Sequence, residues 1–114
     1  MNLFDNIETL AATEEFFEVL AVGPAVRIER IVSMGQVTPA GEAYAQGADE
    51  WVTLLQGRAR LEFGDGEVLE MVAGDWVFIE AHRTHRVTAT SSAPPCVWLA
   101  VHGTLRHPDP NKDA

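Results

Sequence analysis

Residues 50–81 read EWVTLLQGRARLEFGDGEVLEMVAGDWVFIEA, four short apolar runs broken at Gly57, at Gly64-Asp65-Gly66 and at Gly74. Turn residues recurring between runs of strand length, with polar and apolar residues alternating inside "ARLEF" and "EVLEM", give a period of two. The Gly-Asp-Gly between two alternating runs is a hairpin signal, because such tight turns need backbone angles that glycine adopts without cost. The stretch therefore predicts an all-β barrel or sandwich rather than a helical domain.

The same punctuation extends outward in both directions. "HRVTAT" from His85 and "CVWLAVHG" from Cys96 continue the series, separated by Pro94-Pro95. Upstream, "VRIERIV" alternates Val26 and Ile28 with a polar set before turning apolar at Ile31 and Val32, and reads as the first strand. Between these lies "VTPAGEAYAQGADE", interrupted by Pro39, Gly41 and Gly47, which predicts loop with an edge strand. "TEEFFEVL", Thr13 to Leu20, has a possible N-cap, early acidic residues and Phe16, Phe17 and Leu20 at helical spacing, so a short helix is expected there. The organisation predicted is an N-terminal helical segment over 1–26, a barrel over 27–103 and a polar tail over 104–114.

A chain of 114 residues supplies one core. Apolar residues at 46% and charged residues at 22% are ordinary globular usage, which argues for a folded chain. The net charge of -9, from 17 acidic and 8 basic residues, opposes binding to phosphate backbones and anionic membranes, so neither nucleic acid nor membrane is an expected partner. The start has no cationic region followed by a long apolar stretch, and no apolar run has membrane-spanning length; a cytoplasmic protein is expected. Cys96 has no second cysteine to pair with and is expected to be a small buried hydrophobe.

Two separated stretches carry chemistry. Glu50 heads one strand and shares its face with Val52 and Leu54; His85 heads another and shares its face with Val87. Both polar groups would point inward at one end of the barrel, above an apolar interior. This pattern resembles the cupin superfamily over most of the chain, from about Arg27 to Gly103. Glu50, six residues and Gly57 match the first motif of that superfamily, with Tyr44 and Gln46 standing where it has two histidines and Thr38 where it opens on glycine. Gly74 and His85 match the second motif, with Glu80 in place of its proline and His82 in place of its glycine. More narrowly, "IERIVS", "EWV", "HRTHRV" and "WLAVH" are similar to a group of small single-domain cupins, from which Ala45 and Glu80 depart.

The resemblance implies a double-stranded β-helix, or jelly-roll, barrel with a divalent-metal site, usually assembled as a dimer. The residues expected at that site are Glu50, His85, Gln46 and His82, and the metal is iron, manganese, nickel or zinc. An amide oxygen is a weaker donor than imidazole, so Gln46 is able to bind directly, through water, or only to a substrate. Tyr44 is able to coordinate, to donate a hydrogen bond or simply to pack. Residues three apart on a regular strand face opposite ways, so His82 joins His85 only if the chain turns at Ala81 to Arg83. His102 on the last strand is a second candidate for reaching the pocket, and His107 is expected in solvent. Trp51, Trp76 and Trp98 are expected in packing. A role for Arg86 in orienting an anionic substrate is conceivable.

Two functions follow as alternatives. One is a metal-dependent oxygenase, isomerase or lyase acting on a small polar molecule in the barrel, with Tyr44 or His82 as candidate catalytic proton carriers. The other is a non-catalytic module that binds a small molecule or metal. A fold shared by so many chemistries does not choose between them. A homodimer is also expected, because "WVTLL" and "CVWLAV" have apolar residues on both faces.

Overall fold

Period-two alternation and glycine breaks produce eight antiparallel strands in the computed structural model of the chain, which describes residues 1–108. They are β1 (Phe16–Val22), β2 (Val26–Ser33), β3 (Asp49–Gln56), β4 (Arg58–Phe63), β5 (Val68–Val72), β6 (Trp76–Ile79), β7 (His85–Thr90) and β8 (Cys96–Gly103). Five form one sheet in the order β1-β2-β8-β3-β6, and three form the other in the order β5-β4-β7. The all-β double-stranded β-helix expected from the sequence is the fold observed. Of the polar tail, residues 109–114 lie outside the described residues.

The two sheets bury their facing side chains against each other. Val52, Leu54, Leu61, Phe63, Met71 and Trp98 belong to this core, and Ile31, Val77 and Val87 pack against its margin. Alternation along β3 puts Val52 and Leu54 inside together with Glu50, as the sequence predicts. Gly64 to Gly66 turn β4 back on β5: the Gly66 amide donates to the Phe63 carbonyl at 3.0 Å and the Phe63 amide to the Glu67 carbonyl at 2.9 Å.

The expected helix over Thr13 to Leu20 is absent. Phe16–Val22 is a strand paired with β2, and the helical structure among the described residues is a single 3-10 turn at Ile7–Thr9. Phe16, Phe17, Val19 and Val22 are aromatic or β-branched, and β2 offers an unpaired edge whose hydrogen bonds outweigh a marginal local helix preference. The 37–48 stretch also has no edge strand; its one ladder contact is a bridge from Tyr44 to His85.

The outer face of β8 has a cover of its own. Val97, fully buried, packs with Val32 and Ile7 in a second cluster that Leu10, Phe16, Met34 and Leu55 border. Arg30 fastens this N-terminal segment by donating to the carbonyls of Leu3 and Asp5 at 3.1 and 2.8 Å, while pairing with Glu18 at 3.0 Å. The apolar surplus of "CVWLAV" that suggests a second chain is thus taken up in part by the chain's own N terminus. Trp98 and Cys96 are buried as expected, but Trp76 is 52% exposed on the edge strand β6. There it stacks on His107, with ring centroids 6.1 Å apart.

Candidate functional site

Strand parity sets the site. On β3 Glu50 shares the inner face with Val52; on β8 His102 shares it with Ala100 and Trp98; register pairs Glu50 with His102 directly across the ladder. Glu29 on β2 pairs with Ala100 and falls on the same face. His85, first residue of β7, reaches in from the opposite sheet. These four side chains, each buried, line one cavity of about 160 Å3 between the sheets. Ile31, Val52, Leu61, Ile79, Val87 and Trp98 give it an apolar wall.

The loop before β3 brings Tyr44 and Gln46 to the same cavity. It is stitched to β7 by reciprocal amide–carbonyl bonds between Tyr44 and His85 at 2.8 and 2.9 Å, and by the Thr38 amide donating to the Val87 carbonyl at 2.8 Å. The Tyr44 and His85 rings lie with centroids 5.7 Å apart. Of the expected metal residues, Glu50, His85 and Gln46 therefore come together. His82 does not join them. It sits exposed in the turn before β7 at φ 68°, outside the cavity lining. Its amide donates to the Gln46 carbonyl at 2.6 Å, tying this turn to the loop before β3.

Hydrogen bonds fix how the imidazoles present themselves. Nδ1 of His85 lies 3.0 Å from the Arg83 carbonyl, an acceptor, so Nδ1 carries the proton. Held this way, the ring turns its Nε2 toward Oε1 of Glu50, 4.0 Å away. His102 holds the other side: its Nε2 is 2.9 Å from Oε1 of Glu29 and 3.9 Å from Oε2 of Glu50. Its Nδ1 is buried without a partner. Burial pushes the Glu50 carboxyl above its ordinary value of 4.5, against the opposing pull of His102 and His85, while the neighbouring Glu29 pushes the same way as burial.

Because the folded state holds the Glu50 proton more tightly than the unfolded chain does, ionising it costs stability as pH rises from 4.5 through the raised value. Glu50→Gln is expected to remove that dependence. The gain in urea-unfolding free energy of the variant over the parent should be larger at neutral pH than near pH 4.5; a gain independent of pH would contradict the assignment.

Glu29 and Glu15 are residues that sequence reading missed. Glu29 belongs to the set that "VRIERIV" suggests is the polar complement of Val26 and Ile28, yet it is 7% exposed. The inner face of β2 is the one carrying Glu29 and Ile31, and the outer one carries Arg30 and Val32. Glu15, just before β1, lines the cavity and accepts a hydrogen bond from the Ser33 hydroxyl, which in turn accepts from the Trp98 indole at 3.2 Å. Asp49 was missed too: its carboxylate accepts from the Ala81 and Leu105 amides at 2.8 and 2.9 Å, pinning the turn before β7 and the chain after β8. A polar residue of outward parity beside Glu50 carried no signal for this.

Among the described residues no three His, Cys, Asp or Glu side chains form a group placed to hold a metal ion. His102 Nε2 is committed to Glu29, which leaves His85, Glu50 and the Gln46 amide. That donor set is weaker than the one expected, though the orientation of His85 suits it: a ring whose Nδ1–H is held by a carbonyl presents a fixed Nε2 lone pair.

Residues 32–102 match the family described as Cupin domain. Among solved structures, a protein of Ralstonia eutropha JMP134 bearing the provisional name mannose-6-phosphate isomerase is 40% identical, with a TM-score of 0.86 over 92% of this chain and 97% of its own. A cupin superfamily protein of Desulfitobacterium hafniense DCB-2 is 20% identical, with a TM-score of 0.71 over 84% and 83%. A polyketide cyclase of Streptomyces resistomycificus is also 20% identical, with a TM-score of 0.67 over 85% and 70%. The latter two share the fold. No curated protein matches this chain. No helix among the described residues is long and apolar enough to cross a membrane.

Proposed function

Since the chain belongs to the Cupin domain family, we propose that its barrel binds a small polar molecule and transfers a proton on it, as in an isomerase or lyase, with Glu50 as the acid–base group. One observation carries this reading: a buried carboxyl lies between two imidazole Nε2 atoms at 4.0 and 3.9 Å, too far for direct hydrogen bonds and on the wall of a cavity. A substrate in the cavity would meet the carboxyl and His85 side by side. A carboxyl raised toward the working pH both takes and returns protons efficiently. In this scheme Glu50 removes a proton from carbon, the Nε2 lone pair of His85 takes the proton of a neighbouring hydroxyl, and both are returned on the product. Glu29 orients His102 as the second wall. The isomerase name of the 40%-identical relative agrees with this class of step, since aldose–ketose interconversion moves a proton between adjacent carbons.

The test is solvent exchange. Incubation of the protein in D2O with pools of small hydroxy-carbonyl compounds should yield deuterium at carbon, seen by NMR, for at least one compound. Absence of exchange throughout, with binding intact, would leave a non-catalytic binding module.

A divalent cation is the second reading, favoured by the fixed Nε2 lone pair of His85. Glu50, His85 and Gln46 would hold it, and it would supply polarisation of a substrate oxygen. Calorimetric titration with Fe(II), Mn(II), Ni(II) and Zn(II) should then show weak binding that is lost in His85→Ala. Equal binding by parent and His85→Ala would dismiss this site.

A further inference from the structure

We infer that the pocket takes a small cationic ligand, one bearing an amine or amidinium group, in preference to a phosphate or carboxylate. The inference rests on the reading of this cavity as a ligand site and adds the charge class of what enters it. Three carboxyl groups line the cavity, those of Glu15, Glu29 and Glu50, and no arginine or lysine does.

Four arginines are held elsewhere. Arg30 is spent on Glu18 and the N-terminal carbonyls. Arg83 lies over the Phe63 ring and pairs with Asp65 and Glu67. Arg86 donates to the Thr38 and Pro39 carbonyls at 3.2 and 3.4 Å, which answers the suggestion that it orients an anion. Arg60 pairs with Glu62 and Glu70 on the outside of the smaller sheet. Arg27, on the same face of β2 as Glu29 but outside the cavity lining, is half exposed and pairs with Oε2 of Glu29 at 3.6 Å.

A phosphate placed here would be desolvated against like charges with no donor fork to receive it, and such burial is costly. An ammonium meets the opposite conditions. Besides the carboxylates it finds aromatic walls: Phe17, Tyr44 and Trp98 all line the cavity, and ring faces attract cations. Phe17 and Tyr44 are 56% and 43% exposed, which leaves their rings available at the mouth. The carboxyl of Glu15 is kept at this wall by the Trp98–Ser33 hydrogen-bond chain, and that of Glu29 by His102.

The experiment is a binding comparison in chelator-treated buffer at low salt. Mannosamine and 1,4-diaminobutane are titrated against mannose and mannose 6-phosphate, following the ring signals of His85 and Trp98 by NMR so that only ligands inside the cavity are scored. At least one amine should bind about tenfold or more tighter than mannose, with mannose 6-phosphate weakest, and Glu29→Gln and Glu15→Gln should each weaken that amine by about tenfold. Binding of mannose 6-phosphate as tight as the amines, silence of both amines, or amine affinity unchanged in both Gln variants would overturn the inference. Binding of the phosphate would do so while leaving the cavity a ligand site. The proton-transfer reading stands or falls separately, in the D2O exchange experiment.

Discussion

Gly57→Ala is expected to cost about 3 kcal/mol, lowering the melting temperature by roughly 12 °C for a domain of this size. Gly57 joins β3 to β4 at φ 95°, in the left-handed region where a side chain is strained. A Cβ there would also stand 2.8 Å from the Ser91 hydroxyl oxygen and 2.9 Å from both Cα and Sγ of Cys96, two of them inside any tolerable contact with main chain or a fully buried side chain. Gly66→Ala is the matched control. Its φ of 94° is nearly the same, but nothing lies within 4 Å of the added carbon, so only the backbone strain of about 1 kcal/mol applies. Calorimetric melting of both variants separates the two terms. Equal losses would show that packing against β8 is not what requires glycine at position 57.

That glycine is also where the fold was most legible. Seven of the eight strands fall on runs read from the sequence, and five of them, β3, β4, β5, β6 and β8, lie within two residues of Gly57, Gly64, Gly66, Gly74 or Pro94-Pro95. β1 was not legible, because Phe16, Phe17 and Leu20 satisfy a helical period as well as an extended one; the deciding factor, the open edge of β2, lies in another part of the chain. β2 has buried residues on both faces, since Glu29 faces the cavity while Val32 faces the N-terminal cover, so alternation alone could not say which side was inner.

The site divides in the same way. Glu50 and His85 could be found because each stands at a motif spacing and shares parity with core residues of its own strand. Glu29 and His102 are 73 positions apart, and their 2.9 Å contact follows from the β2-β8 pairing, which no local pattern encodes. His82 was expected beside His85 if the chain turned at Ala81 to Arg83; the positive φ at His82 does turn it, yet this ring is exposed and outside the cavity lining. That a turn forms is readable from a short stretch, but the direction in which it sends a side chain is not.

Loss of the Glu50 carboxyl should therefore be the most damaging single change to chemistry, and unlike Gly57→Ala it should leave the fold intact. Glu50→Gln keeps the side chain's shape and removes its titratable proton, so deuterium exchange into a substrate should fall by about a thousandfold while ligand affinity changes far less. His85→Gln should also slow exchange, because its amide takes no proton, but should do so by a smaller factor if Glu50 performs the carbon step. The two variants should differ in pH dependence as well. With Glu50 present, exchange rises as pH climbs through its raised value and the carboxylate form accumulates; the residual rate of Glu50→Gln should lack that limb. The rise follows from burial of Glu50 between Glu29 and the two imidazoles, so Glu29→Gln, which removes a charge that pushes the Glu50 carboxyl upward, should move the same limb to lower pH. An unshifted limb in Glu29→Gln, or undiminished exchange in Glu50→Gln, would place the proton carrier elsewhere in the cavity.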